Sequence, residues 1–184
     1  MMRRLEEAGR DLIKVLGGVK ARELKAFEEE VLSSNRVFAT GLGRSGLMMR
    51  GFAMRLMHLG RRVYHVGDVI TPAIRQGDLL VIGSRPGPSR PLGLFSETPH
   101  QPKARVAVAP PNAESRVARG ADAVLTIDDR QIVESGMRHG KPYLPLGSLF
   151  EQALLLVLDQ VVVDLMASLD LTERDLERIH SRFE

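Results

Sequence analysis

Hydrophobic and polar positions form two alternating patterns along most of the chain. Apolar residues recur at helical spacing from Met48 to Leu59, and less clearly in NAESRVARGA. Short apolar runs, rich in valine and bounded by glycine, proline or aspartate, are typical of buried parallel strands. There are five of them: RVFATG, RRVYHVG, GDLLVIG, ARVAVA and ADAVLTI. This alternation predicts an α/β fold with a parallel sheet covered by helices on both faces.

Helices are also predicted at both ends of the chain. Two of them occupy residues 2–34, a long one runs from about Ser148 to Leu169, and a final one starts at Thr172. No internal repeat or linker interrupts the 184 residues, so we expect a single domain. Its parts are the N-terminal helices 1–34, the core 35–170 and the C-terminal helix 171–184.

Composition narrows the class of protein. The hydrophobic fraction of 43% and the charged fraction of 27% are ordinary for a globular domain. The absence of cysteine excludes disulfides and thiolate metal sites. The net charge is only +3 and no basic cluster stands out, which disfavours a nucleic-acid partner. The longest apolar run, ALLLVL, is too short to span a bilayer, and no signal peptide is evident. We expect a cytoplasmic protein without a membrane partner.

A glycine turn between the first strand and the helix after it is a candidate anion site. Backbone N–H groups at a helix start meet the positive end of the helix dipole, which favours phosphate. Asp68 follows the next strand, as a dinucleotide site requires for its ribose. Arg44 and Ser45 suit a terminal phosphate dianion better than a pyrophosphate. A sugar-phosphate site, a dinucleotide site and a purely structural turn remain open for the glycines, Gly41, Gly43 and Gly46.

A carboxylate and a histidine are candidates for proton transfer. Ser148 and Glu151 are spaced as a capping box at the start of the long helix. A carboxylate in a first helical turn is stabilised in its charged form, and it is a competent base beside a sugar-phosphate pocket. His180 lies close to the C-terminus, where an exposed histidine without a role is the more frequent case.

Proline disrupts the segment between the third and fourth strands. Parallel neighbours require a crossover, which is usually a helix, and proline inside a helix costs about 3 kcal/mol. Five prolines leave only residues 92–98 free of them, so no regular crossover helix is predicted here. They are Pro86, Pro88, Pro91, Pro99 and Pro102.

Four stretches of the chain resemble the 6-phospho-3-hexuloisomerase family of the sugar isomerase (SIS) domain superfamily. They are GLGRSGLMMRGFAMRLMHLG, VGDVITPAIRQGDLLVIGS, NAESRVARGADAVLTI and LPLGSLFEQALLLVLDQVVVDLM. The resemblance implies a three-layer α/β sandwich with a five-stranded parallel sheet flanked by helices, assembled as a homotetramer. It also implies an enzyme that interconverts 3-hexulose 6-phosphate and fructose 6-phosphate in the ribulose monophosphate route of formaldehyde fixation. The resemblance further implies that the enzyme requires no metal and no organic cofactor.

The same resemblance assigns roles to individual residues. Glu151 matches the family's catalytic carboxylate, and His180 matches a histidine that acts in the site of a neighbouring subunit. Thr71 matches a TP element after the second strand. The phosphate-binding residues that it implies are Gly43, Arg44, Ser45, Gly46, Thr71, Ser84 and Ser89.

The second phosphate loop departs from the family form S-x-S-G-x-T. Ser84, Gly87 and Ser89 keep its pattern, but Pro86 and Pro88 carry no N–H donor. Each lost charge-assisted hydrogen bond is worth about 1.5–3 kcal/mol, so substrate binding and isomerase activity are expected to be weakened. One hypothesis is a compensated pair of reading-frame shifts in the coding DNA. Two other functions remain open, a non-catalytic phosphosugar-binding SIS module and a dinucleotide-binding Rossmann protein.

Overall fold

A five-stranded parallel sheet forms the centre of the computed structural model, which describes residues 2–85, 104–138, 144–145 and 147–180. The order of the strands is β2-β1-β3-β4-β5, and every neighbouring pair is parallel. All five strand predictions and the expected fold class are confirmed. The strands are β1 (Val37–Thr40), β2 (Val63–His65), β3 (Leu79–Gly83), β4 (Arg105–Ala109) and β5 (Ala123–Val124).

The helices lie where the sequence pattern predicts them, with two exceptions considered below. In the part of the chain that the structure describes, no helix is both long and apolar enough to cross a membrane. The α-helices are α1 (Met2–Gly17), α2 (Ala21–Ser33), α3 (Gly43–His58), α4 (Arg130–Arg138), α5 (Ser148–Ser168) and α6 (Glu173–Ile179).

Side chains of the central strands alternate between two separate clusters, one on each face of the sheet. On one face, Val37, Leu79 and Ala107 pack against apolar residues of the α-helices. On the other face, Phe38 and Leu80 join a smaller cluster with loop residues and a 3₁₀ helix, Arg116–Ala118. Because successive residues of a strand point to opposite faces, an almost continuous apolar run can serve both layers.

One helix prediction is wrong, and one helix was not predicted. NAESRVARGA was expected to be helical, but only a 3₁₀ turn forms there among the described residues, and Gly120 adopts a positive φ of 77° that ends it. Helix α4 carries few apolar residues, and the periodic pattern did not reveal it. The proline-rich segment, for which no regular helix is predicted, falls on residues 86–103, outside the described residues.

The capping box expected at Ser148 is also wrong. The N-cap of α5 is Gly147, with φ 90°, and no side chain bonds to the cap. The Ser148 hydroxyl instead donates to the carbonyl oxygen of Pro145 at 2.7 Å. A capping box does form at α6, where Thr172 and Asp175 satisfy each other's backbone N–H groups.

A close backbone contact fixes the start of α3 against the end of β1. A Cβ built on Gly46 would lie 2.5 Å from the carbonyl oxygen of Gly41, and one built on Gly41 would lie 2.7 Å from that of Gly83. Backbone atoms cannot yield as a flexible side chain can. Glycine is therefore required at these positions for packing, and the glycine turn is built directly onto the core.

We predict that Gly46→Ala destabilises the protein by about 1–3 kcal/mol, because the new methyl group forces α3 away from β1. Gly51→Ala, in the same helix, is the matched control. Its Cβ would meet only Leu155 Cδ1 at 3.8 Å, an ordinary contact. We expect that variant to be stabilised by about 0.5–1 kcal/mol through helix propensity. Urea unfolding of both variants measures the difference, and equal stabilities would contradict the packing argument.

Candidate functional site

The loops that follow the carboxyl ends of the strands meet at one edge of the sheet. Since all five strands are parallel, the turn after β1, the loop after β2 and the residues after β3 and β5 share that edge. Ligands of open α/β sheets bind there, outside the carboxyl ends of the strands. The structure therefore places the glycine turn, Thr71 and Ser84 on the side of the sheet where a site is expected.

The glycine turn is open above its backbone. Helix α3 begins at Gly43, after the N-cap residue Leu42. Gly43 has a φ of 57°, and a Cβ built there would meet nothing within 4 Å. Ser45 is buried, whereas Arg44 is exposed. The first N–H groups of a helix have no partner within it, so this turn can present donors to an anion.

Glu151 is held at this turn by an ion pair. It lies in the first turn of α5, and its Oε2 accepts a hydrogen bond from Arg44 Nε. The Glu151 side chain is only 10% exposed and the Arg44 side chain is 56% exposed. The carboxylate thus lies in the wall of the site, while its cationic partner faces the open side. The ion pair joins the starts of α3 and α5, two helices distant in sequence.

The loop after β2 is tied down by its own polar groups. The Thr71 hydroxyl donates to the carbonyl oxygen of His65 at 2.6 Å. Asp68 accepts hydrogen bonds from both terminal nitrogens of Arg50, at 2.7 and 3.2 Å. The bond with Arg50 holds the pKa of Asp68 below its usual value. The carboxylate that a dinucleotide site would need for a ribose is therefore engaged with a side chain of α3.

The two residues after β3, Ser84 and Arg85, make hydrogen bonds to the end of β4 and to the residue before α4. Ser84 is buried, and its N–H donates to the carbonyl oxygen of Ala109 at 3.3 Å. Arg85 Nε donates to Asp129 Oδ2 at 3.1 Å. Asp129 is fully buried, and burial raises the pKa of its carboxyl group although the Arg85 guanidinium acts in the opposite direction. Ser89 lies outside the described residues.

His180 lies at the opposite end of α3 from the glycine turn. Its ring stacks on that of His58, with the centroids 5.0 Å apart, and His58 is the last residue of α3. Arg44 is 14 residues earlier, about 21 Å along a helix that rises 1.5 Å per residue. A single chain therefore does not bring His180 and Glu151 to the same sugar.

The structure brings together most of the residues that the sequence singled out. Gly43, Arg44 and Glu151 form one continuous group, and Ser84 lies on the same edge of the sheet. Sequence reasoning missed Arg85 and Asp129. Arg85 lay among prolines, and nothing in the local pattern marks Asp129 as the partner of a residue 44 positions earlier.

The chain is similar to known proteins in sequence and in fold. No family model matches the chain. A 3-hexulose-6-phosphate isomerase of Bacillus subtilis is 35% identical over 166 residues, which cover 90% of this chain and 89% of that protein. One of Mycobacterium gastri is 38% identical over 164 residues, which cover 89% of this chain and 80% of that protein.

A solved structure agrees with these relatives. A crystal structure of a hypothetical protein from Methanococcus jannaschii, described as inferring a molecular function of 3-hexulose-6-phosphate isomerase, superposes with a TM-score of 0.83. It shares 25% sequence identity, and the match covers 99% of both chains. Sequence and fold therefore agree over nearly the whole length, and the chain belongs to the 3-hexulose-6-phosphate isomerase family of SIS-domain proteins.

Proposed function

We propose that this protein interconverts 3-hexulose 6-phosphate and fructose 6-phosphate. The observation that carries the proposal is the buried Glu151 carboxylate, held by Arg44 beside the open glycine turn. Relatives named for this isomerase support the choice of substrate. The phosphate would bind the edge formed by Gly43, Ser45 and Ser84. The carbon chain would then extend over the first turn of α5, where the carboxylate lies.

The chemistry is a proton transfer through a cis-enediol. Glu151 removes the proton from C2 of the 3-keto sugar, and the electron pair forms the C2=C3 double bond of the enediol. Glu151 then returns the proton to C3, which leaves the carbonyl group at C2. A positioned carboxylate contributes roughly 10²–10⁴-fold to such a step. The ion pair with Arg44 restricts the carboxylate to one position relative to the two carbons.

His180 completes the proposed site from a neighbouring subunit. One proton must leave the oxygen on C2 and another must reach the oxygen on C3. A histidine can do both, because one ring nitrogen of a neutral imidazole donates a proton while the other accepts one. Within one chain His180 is at the far end of α3, so we propose a homotetramer in which a second copy supplies it. We place the reaction in the cytoplasm, in the ribulose monophosphate route of formaldehyde fixation.

We predict that Glu151→Gln lowers kcat by at least about 10²-fold, because the amide cannot accept the carbon-bound proton. Binding of fructose 6-phosphate, measured by calorimetry, should change by less than about threefold, since the side chain keeps its shape. The matched control is Asp159→Asn, an exposed carboxylate farther along α5. Turnover that survives in Glu151→Gln at the rate of the control would overturn the assignment of the base.

We predict that two inactive variants restore each other when they are expressed together. Glu151→Gln and His180→Ala each remove one half of a site that two chains share. In randomly mixed oligomers about a quarter of the sites combine an intact Glu151 with an intact His180 from the neighbour. Differently tagged chains, purified through both tags, are assayed for isomerase activity. Mixed oligomers that stay as inactive as either variant alone would contradict a shared site.

A further inference from the structure

A second arginine, Arg85, lies next to Gly147, the N-cap residue of α5. A Cβ built on Gly147 would lie 2.9 Å from Arg85 Cδ. The Arg85 side chain therefore passes directly over the N-cap residue, immediately before α5 begins at Ser148. Gly147 is one helical turn before Glu151, and its carbonyl oxygen accepts the N–H of Glu151 at 3.2 Å. Arg85 thus lies at the N-cap of α5, and Arg44 pairs with Glu151 in the first turn that follows.

Arg85 is fixed by an acid that has no other visible role. Asp129 is completely buried, directly before α4, and its Oδ2 accepts the hydrogen bond of Arg85 Nε at 3.1 Å. Its other oxygen, Oδ1, is buried and has no hydrogen-bond partner among the residues that the structure describes. A buried carboxylate with one guanidinium contact is costly unless that contact is well formed. The arrangement holds the Arg85 head group in one place.

The outer end of the Arg85 guanidinium is not occupied by any residue that the structure describes. Its side chain is 32% exposed, and across the described part of the chain no acceptor is assigned to its two terminal nitrogens. A guanidinium carries five N–H donors in a planar fork that matches the oxygens of a phosphate. Asp129 uses only the Nε donor, so a fork of N–H groups can face a ligand.

The local charges favour an anion at this point. Within each of the ion pairs Arg44–Glu151 and Arg85–Asp129, the positive and the negative charge cancel. What remains is the positive ends of α3 and α5, equivalent to about half a charge each. A cation beside a helix N-terminus is unfavourable by itself, and it becomes favourable when an anion bridges the cation and the helix.

We propose that Arg85 is a phosphate-binding residue of this protein, positioned by Asp129 and directed at the phosphate ester of the sugar. The inference rests on the proposed function, since that function supplies the phosphate. Pro86 and Pro88, which follow Arg85 in the sequence, carry no N–H, so the Arg85 fork supplies donors that these two prolines lack. Arg44 then serves mainly to position the Glu151 carboxylate at the carbons, and Arg85 acts one helical turn earlier, at the N-cap of α5.

Arg85→Ala is the decisive variant, with Arg85→Lys beside it. Arg105→Ala is the matched control, because Arg105 is 33% exposed and pairs with Glu30 at 2.9 Å, but lies at the opposite edge of the sheet. Thermal unfolding first establishes that each variant is folded. Calorimetry then gives the Kd of fructose 6-phosphate, and steady-state kinetics give kcat, KM and the inhibition constant of inorganic phosphate.

We expect Arg85→Ala to raise the Kd, the KM and the phosphate inhibition constant by about 10–100-fold, the equivalent of one charge-assisted hydrogen bond. Its kcat should stay within about threefold of wild type, because Arg85 does not touch the reacting carbons. Arg85→Lys keeps the positive charge but lacks the planar fork of donors. Its Kd, KM and phosphate inhibition constant should therefore lie between those of the wild type and those of Arg85→Ala. Arg105→Ala should bind as the wild type does.

Other outcomes separate the possible failures. A folded Arg85→Ala with unchanged Kd and phosphate inhibition would overturn the role of Arg85 and leave the isomerase proposal intact. If Arg85→Ala does not fold, Arg85→Lys decides the question by the same constants. Binding of fructose 6-phosphate that depends on Arg85, without turnover in the wild type, would support the phosphate contact and refute the isomerase. A wild type that binds neither fructose 6-phosphate nor phosphate would refute both.

Discussion

The parallel direction of all five strands is the constraint on which the site depends. Parallel strands place every carboxyl end at the same edge of the sheet, so loops distant in sequence meet there. The turn at Gly43, the buried Ser84 and the acid Asp129 are neighbours for this reason alone. Helix α5 then adds Glu151 to the same edge, and Arg44 joins the two helix starts. The polar and charged side chains of the candidate site are thus concentrated at the carboxyl ends of the strands, beyond the apolar core.

The two faces of the sheet contribute differently to this edge. The helical face packs α3 and α5 against the strands, and buried residues such as Met49 and Leu154 fix how these helices lie. Their N-termini consequently point towards the same small region. On the other face, loop residues and a short 3₁₀ helix cover Phe38 and Leu80. The proposed base Glu151 and its partner Arg44 therefore come from the layer with the more extensive core.

Sequence patterns predicted the parts of this fold that depend on local preference and on burial. All five strands and the long helix followed from apolar periodicity, because each must bury a continuous run or stripe. Helix α4 was not predicted, because few of its residues are apolar. The capping box predicted at Ser148 was wrong, because its hydroxyl donates to the carbonyl oxygen of Pro145. The pairing of Arg85 with Asp129 depends on sheet order, which no local pattern contains. Contacts between residues that meet only because of the strand order could not be predicted from the sequence pattern.

The contact between Gly41 and Gly46 has a thermodynamic consequence for ligand binding. The turn abuts the strand with no room for a methyl group, so its amides share the rigidity of the sheet beneath them. An anion bound there, as we propose, would meet donors that are already oriented, and little conformational entropy would be lost in arranging them. Affinity at this turn would then be set chiefly by the exchange of water for amide contacts. Most of the ordering of this turn is completed when the polypeptide folds, before any ligand binds.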